Sequence, residues 1–204
     1  MDRRKARTRK ALVDAARAFL AEGCREVSIQ EITDAADVGF GSFYNHFTSK
    51  EELFATALVD VLEEHGRLVD QATSEIDDPA EVFAASVRLT VRMADTHVGL
   101  ARILAGTGVS YLDSEQGLAP RALRDIQHAM DAGRFRVSNP YVALASAGGA
   151  LLALLHLRLA HPDQVPADAG DELAEQLLRT FGMSSRSAHA VAHRPLPEFS
   201  PLTV

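Results

Sequence analysis

Within nine residues, Ser42 to Lys50, the chain gathers Ser42, Tyr44, Asn45, His46 and Lys50. A phenol, an imidazole N–H and an ammonium all donate well to phosphate oxygens. A carboxamide sets a donor beside an acceptor, which matches the major-groove edge of adenine, and a hydroxyl can serve in either sense. Just upstream, Gly39 lets backbone come close to a surface, and the Phe40 ring would suit a thymine methyl. Ser28 and Gln30 add two more groups able to reach phosphate. Together these are group types able to contact duplex DNA, some suited to phosphate oxygens and others to base edges.

Catalytic chemistry finds no comparable constellation. The chain has eight histidines and 28 acidic residues, but no His-Glu-x-x-His spacing and no phosphate-cradling glycine loop; Gly106, Thr107 and Gly108 read as a turn. His189 and His193, four apart on a possible short helix, could suit a metal ion, but their segment reads as a peripheral tail and no metal is assigned. The expectation is a non-enzyme without a cofactor.

The elements that must position the DNA-facing groups are helices; no stretch alternates with the period of two that marks a strand. A first helix over about 5–22 carries the apolar stripe Leu12, Ala15, Ala16, Phe19 and Leu20, and Gly23 closes it. Ser28 with Glu31 forms a capping-box pattern opening a second helix. Asp37, Val38 and Gly39 make the turn, and a short third helix covers roughly 40–47. Phe43 and Phe47, four apart with Phe40 nearby, are expected to pack against Phe19, Ile29 and Ile32. A long helix over 49–72 connects this unit to the rest. Further helices are predicted over 79–95, 97–105, 115–132, 140–160 and 168–181, and the tail from 184 has room for one more short helix.

The fold class expected is therefore all-α: a helix-turn-helix domain over 1–48, a helical sensing and dimerisation domain over 49–183, and a tail over 184–204. The net charge of −7 excludes indiscriminate binding to nucleic acid by the whole molecule. Yet residues 1–50 hold nine basic against seven acidic residues, and residues 51–204 hold twelve against twenty-one. A basic head on an acidic body fits one DNA-facing end, and argues against an architectural DNA-binding protein. One cysteine and no apolar leader suit the cytoplasm.

The stretch from Ser28 to Leu53, with its Phe40-Gly-Ser-Phe-Tyr-Asn-His-Phe47 core, resembles the DNA-binding domain of the TetR family of bacterial regulators, without a gap from Leu12 to Phe54. Gly39 departs from the family pattern, where serine is common. The resemblance implies that Tyr44 and His46 hold phosphates and that Gly39, Phe40, Ser42 and Asn45 face the bases. It also implies a homodimer on a palindromic operator in double-stranded DNA, and a small-molecule inducer, unidentified by sequence, that favours a spacing of the recognition helices unable to fit DNA. Repression is the commoner behaviour in the family; control by a protein partner stays open.

An inducer pocket in the middle helices, as the resemblance implies, would draw on Phe83, Val87, Leu100, Ile103, Leu104, Tyr111, Leu123 and Ile126. Its polar anchors would be His97, Thr107, His128 and His156. Helical spacing alone does not separate such a lining from packed core. By the same resemblance the last two long helices would form the dimer interface, with Leu144, Leu151, Leu155, Leu173, Leu177, Leu178 and Phe181 suited either to that role or to an internal core. The 17 uncharged residues from Tyr141 to Leu157 contain many alanines and glycines, as in a buried or dimer-forming helix, and no membrane span is assigned.

Overall fold

The structure, a computed structural model, describes residues 2–24 and 26–199, with the side chains of Asp2, Ile103, Thr107 and Ser110 outside that description. The helices are α1 (Asp2–Ala21), α2 (Ile29–Ala35), α3 (Phe40–Phe43), α4 (Lys50–Ala72), α5 (Pro79–Val91), α6 (Met93–Thr96), α7 (Val98–Thr107), α8 (Leu118–Asp131), α9 (Pro140–Ala160), α10 (Ala169–Thr180) and α11 (Ser185–Ala192). A 3₁₀ segment, Gly108–Asp113, follows α7. No strand occurs among the described residues.

Local chemistry fixes the ends of the N-terminal helices. Gly23 adopts φ +75°, so that its N–H reaches the Leu20 carbonyl at 2.9 Å and the Cys24 N–H reaches that of Phe19 at 2.8 Å. These two bonds satisfy the last carbonyls of α1. The capping box forms: the Ser28 hydroxyl accepts from the Glu31 N–H at 3.2 Å, and the Ser28 N–H donates to Glu31 Oε2 at 2.8 Å. The left-handed residue of the following turn is Asp37, with φ +52°, and not Gly39. Gly39 has φ −66° and caps α3 without a side-chain bond, so its lack of a side chain is not required by the backbone. Regular α3 also ends earlier than its sequence suggests, at Phe43, and Tyr44 to His46 continue as a tight turn.

Among the described residues, two cores organise the packing. The first joins α1, α2 and α4 to α7 and α9 through Leu12, Leu20, Ile32, Phe43, Leu53, Leu62, Leu100 and Leu155, all fully buried. Each such side chain contributes roughly 1.5–3 kcal/mol on burial. The second joins α5, α8, α9, α10 and α11 around Phe83, Phe135 and Phe181, whose ring centroids lie 5.1–5.6 Å apart. The sequence boundary at residue 48 therefore does not divide the cores. Gly99, early in α7, packs directly on the backbone carbonyls of Leu20 and Ala21 at the end of α1, where any Cβ would collide.

The structure decides one open alternative and corrects one expectation. Leu144, Leu155, Leu177, Leu178 and Phe181 are buried within the single chain, and Leu151 and Leu173 pack half-buried beside them. Their spacing reflects internal core. The segment after 184 is not a peripheral tail: Ala188, Val191 and Ala192 of α11 are buried in the second core. Phe199 then folds back to set its ring edge-on to His65 of α4, 5.6 Å away.

His65 is 2 % exposed, and its Nε2 has no hydrogen-bond partner among the described residues. Burial, helped by nearby His97, pushes its pKa down to about 4. An unfolded chain would protonate it near pH ~6.5. The unfolded state therefore binds more protons between those values, so stability is lost as pH falls from ~6.5 toward 4 and the loss levels off below. The expected loss is about 3 kcal/mol. Urea unfolding across that range should show it, and His65→Leu should flatten the slope by that amount; equal slopes would contradict the assignment.

Candidate nucleic-acid interface and ligand cavity

The helix-turn-helix surface takes shape from what α3 must bury. Phe43 and Phe47 are 0 % and 2 % exposed, and their rings pack 6.0 Å apart in the first core. Phe40, on the other side, is 47 % exposed, so it does not join them. Its ring meets Tyr44 edge-on at 6.0 Å. With two aromatics anchored inward, Gly39, Phe40, Tyr44 and Asn45 are turned to solvent, and Ser42, His46 and Lys50 are half-exposed around them.

The first helix frames this patch. Arg3, Arg4, Lys5 and Arg7 are exposed along the first turns of α1, so the basic arm is helical, and the Arg9 guanidinium sits 5.1 Å over the Phe47 ring. Burial, then the charges of Lys5 and Arg9, lowers the pKa of His46. The imidazole is thus neutral near pH 7 and offers one N–H donor. Gln30 and Ser28 are exposed but engaged: Gln30 Nε2 donates to Asp34 Oδ1 at 2.6 Å, and the Ser28 hydroxyl bonds Glu31. Reaching phosphate would require them to exchange these partners.

At the N-terminus of α4 the Ser49 hydroxyl accepts from the Glu52 N–H at 3.2 Å, while the Glu52 carboxylate accepts from the Thr48 N–H at 2.7 Å. Hydrogen bonds from the Thr48 hydroxyl and N–H lower the pKa of Glu52. This cap holds Lys50 at the first helical position, beside the α3 turn.

A second feature lies between α4, α5, α8 and α9. A cavity of about 80 Å³ is lined by Gly66, Val69, Phe83, Val87, Leu104, Tyr111, Leu118, Ala147 and Leu151 among other apolar groups. Its polar members are Asp70, Ser86, Thr90, Tyr111, Arg121 and Asp125. The Tyr111 hydroxyl accepts from the Leu118 N–H at 2.9 Å. Asp125 is 5 % exposed; burial raises its pKa, against the opposing pull of Arg124, whose Nε and Nη2 lie 3.0 and 2.7 Å from Asp125 Oδ1.

Of the residues singled out for a pocket, Phe83, Val87, Leu104 and Tyr111 line this cavity. Leu100 and Ile126 are fully buried in the two cores, and Leu123 packs against the second. His128 and His156 are exposed, and His97 sits half-buried between α6 and α7 with Nδ1 2.9 Å from Thr96 Oγ1. The side chains of Ile103 and Thr107 lie outside the described residues. Sequence reading missed the polar wall. Its available signal was Arg121 and Asp125, charges four apart on the same face of α8 as apolar Leu118 and Ala122.

Arg121 ties the cavity to α4. Its Nε donates to Asp70 Oδ2 at 2.9 Å, Nη2 to Glu63 Oε1 at 2.6 Å, and Nη1 to Glu63 Oε2 and the Gly117 carbonyl, both at 2.8 Å. Glu63, Gly66 and Asp70 share one face of α4. The absent side chain at Gly66 makes room, because a Cβ there would fall 2.7 Å from Arg121 Cδ.

Comparison with known proteins agrees with both halves. Residues 12–57 match the family described as bacterial regulatory proteins, tetR family, and residues 78–194 match the tetracyclin repressor-like C-terminal domain. The crystal structure of RolR in complex with the ligand resorcinol is similar over 98 % of this chain and 100 % of that one, with a TM-score of 0.82 and 33 % identity. The transcriptional repressor KstR2 of Mycolicibacterium smegmatis is 33 % identical over 76 residues, 35 % of this chain and 37 % of that protein. The transcriptional regulator AcuR of Cereibacter sphaeroides is 34 % identical over 104 residues, 50 % of this chain and 46 % of that protein. The chain thus spans less than half the length of these two curated relatives.

Proposed function

The chain belongs to the TetR family of bacterial regulators, and from that premise we propose that it is a dimeric, cytoplasmic repressor released from a palindromic operator by a small molecule. The observation that carries this reading is the shared role of α4. Its first residue, Lys50, stands beside the exposed α3 surface, and its Gly66, Val69 and Asp70 form a wall of the cavity. Displacement of that wall moves the DNA-reading module.

The inducer is a small hydroxylated aromatic. A cavity of about 80 Å³ falls well below the ~300 Å³ at which sites for drug-sized ligands begin. It is nearer the ~150 Å³ of an apolar cavity that admits benzene. Apolar walls suit one ring, and Thr90, Tyr111 and Asp125 suit its hydroxyls. The resorcinol held by RolR supports the same class.

Tyr44, His46 and Lys50 position phosphates, and Asn45 and Ser42 read bases with Gly39 and Phe40 close to the groove floor. Selection of bound sequences from random duplex DNA at two salt concentrations tests this. A palindromic motif that survives higher salt is expected, and its release by resorcinol tests the ligand class. Sequence-blind binding that disappears as salt rises would defeat the proposal. On the selected site, Tyr44→Phe and Lys50→Ala are expected to weaken binding to matched and mismatched sequences alike, whereas Asn45→Ala removes preference at one base pair per half-site, roughly 1–3 kcal/mol. Unchanged selectivity in Asn45→Ala would take it out of the reading set.

A further inference from the structure

Three potential ligand atoms converge at the far end of the second core, on residues the DNA site and the cavity do not use. Glu175 of α10 faces His189 in the last turn of α11 and His193 at its C-cap. Glu175 Oε2 lies 2.9 Å from His189 Nδ1 and 3.2 Å from His193 Nε2, and the two imidazole centroids are 4.3 Å apart. One candidate ligand atom from each of the three falls within a 4.8 Å span.

Two ligands bound tetrahedrally at the ~2.0–2.2 Å typical of zinc stand about 3.4 Å from each other, so the carboxylate–imidazole distances are already near those of a shared ion. The helix explains why. Residues four apart lie one above the other on a face, and the His193 N–H continues the helical ladder by donating to the His189 carbonyl at 3.2 Å. Glu175 is in turn held at a fixed height, because Ala174, Leu177 and Leu178 of α10 and Ala188 and Val191 of α11 are buried together. The exposed side of both rings leaves room for water to complete the shell.

We propose that Glu175, His189 and His193 form a binding site for a divalent transition metal of the zinc type, one water completing the tetrahedron, which pins α11 to α10. Carboxylate and neutral imidazole are ligands that zinc, cobalt and nickel accept and that calcium and magnesium do not favour. Both rings must present a lone pair to the ion, so in the bound form His189 carries its proton on Nε2 and His193 on Nδ1. The site is independent of the proposed inducer: none of its residues lines the cavity.

The test uses the full, untagged chain freed of metal by chelation, titrated with cobalt(II) alone and then displaced with zinc(II). The expected result is one cobalt per protomer with the intense visible bands of a tetrahedral site, and a higher melting temperature with zinc. Removing both rings in His189→Ala/His193→Ala should abolish the bands and lower affinity by more than ~100-fold, since loss of a partner that merely orients a ligand already costs 10–100-fold. Glu175→Gln should weaken binding by more than ~10-fold. His128→Ala and His156→Ala, both exposed and distant in sequence, should leave binding unchanged. Cobalt bands absent from the wild type, or persisting in the double-histidine variant, would overturn the site, as would a Glu175→Gln variant that binds as tightly as wild type.

Discussion

Ala153→Glu is expected to convert a dimer into a folded monomer and to lower operator affinity at least 100-fold. The expectation follows from α9, whose 21 residues have a mean hydropathy of 1.7 over their most apolar window, of which only 28 % is buried within one chain. One face, with Ala143, Leu144, Ala147, Leu152 and Leu155, packs on the rest of the protein. The other carries Val142 (65 % exposed), Ser146, Gly149, Ala153 and Leu157 (46 % exposed) at helical spacing. Small residues at the centre let a second helix approach, and larger apolar groups at the ends cover it. A second copy of the same face would satisfy this stripe by two-fold symmetry, as the proposed dimer with two recognition helices on a palindrome requires. A carboxylate buried there without a partner costs several kcal/mol, and symmetry introduces it twice. At 1.4 kcal/mol per decade, a 100-fold loss is a lower bound.

Sedimentation and helical content distinguish the outcomes. Ala153 is exposed in the protomer, so its variant should keep the wild-type circular dichroism while its mass halves. A variant that still sediments as a dimer would move the interface elsewhere. A charge at Leu177 is a poor substitute for this test, because Leu177 is 5 % exposed and its loss would damage the second core.

The contrast between Ala153 and Leu177 also explains which parts of the molecule could be read in sequence. Caps and turns are local, so Ser28 with Glu31 and the end of α1 at Gly23 announce themselves in a few residues. The inward pair Phe43 and Phe47 was legible for the same reason. Burial among distant helices is not local. An apolar stripe on α9 or α10 satisfies a partner chain or an internal neighbour equally well, and only the packed structure assigned Leu144 and Leu177 inward and Val142 outward. The candidate cavity was half legible. Phe83 and Tyr111 were among the residues that the family resemblance suggested, but the histidines suggested as its anchors lie outside it, and its polar wall comes from Arg121 and Asp125, charges that share a face of α8 with Leu118 and Ala122.

Arg121→Lys is expected to leave the protein folded and able to bind DNA while reducing ligand-driven release roughly tenfold. Arg121 makes four hydrogen bonds from one planar group, to Glu63, Asp70 and the Gly117 carbonyl, and it lines the cavity. The two carboxylates stand seven residues apart on α4, so in the proposed mechanism a ligand that shifted the guanidinium would act on α4 at two points. Lysine keeps the charge but offers a compact ammonium that cannot span both carboxylates. Coupling between sites typically amounts to 1–3 kcal/mol, and losing about half of a coupling at the upper end of that range gives the tenfold figure. Folding should survive, because hydrogen bonds from Arg121 and then the Gly117 N–H hold the Glu63 pKa down to about 2, yet the Glu63 side chain is 46 % exposed. Solvent screening limits such a pair to about 1 kcal/mol. That contribution is present above the ordinary carboxylate pKa and fades as pH falls from ~4.5 toward 2, so at neutral pH the variant loses it without approaching unfolding. The decisive measurement is operator binding against resorcinol concentration for both proteins, with resorcinol affinity measured separately. Equal release at equal occupancy would mean that the signal leaves the cavity by another route, and the direct packing of Gly99 on the end of α1 would be the contact to examine.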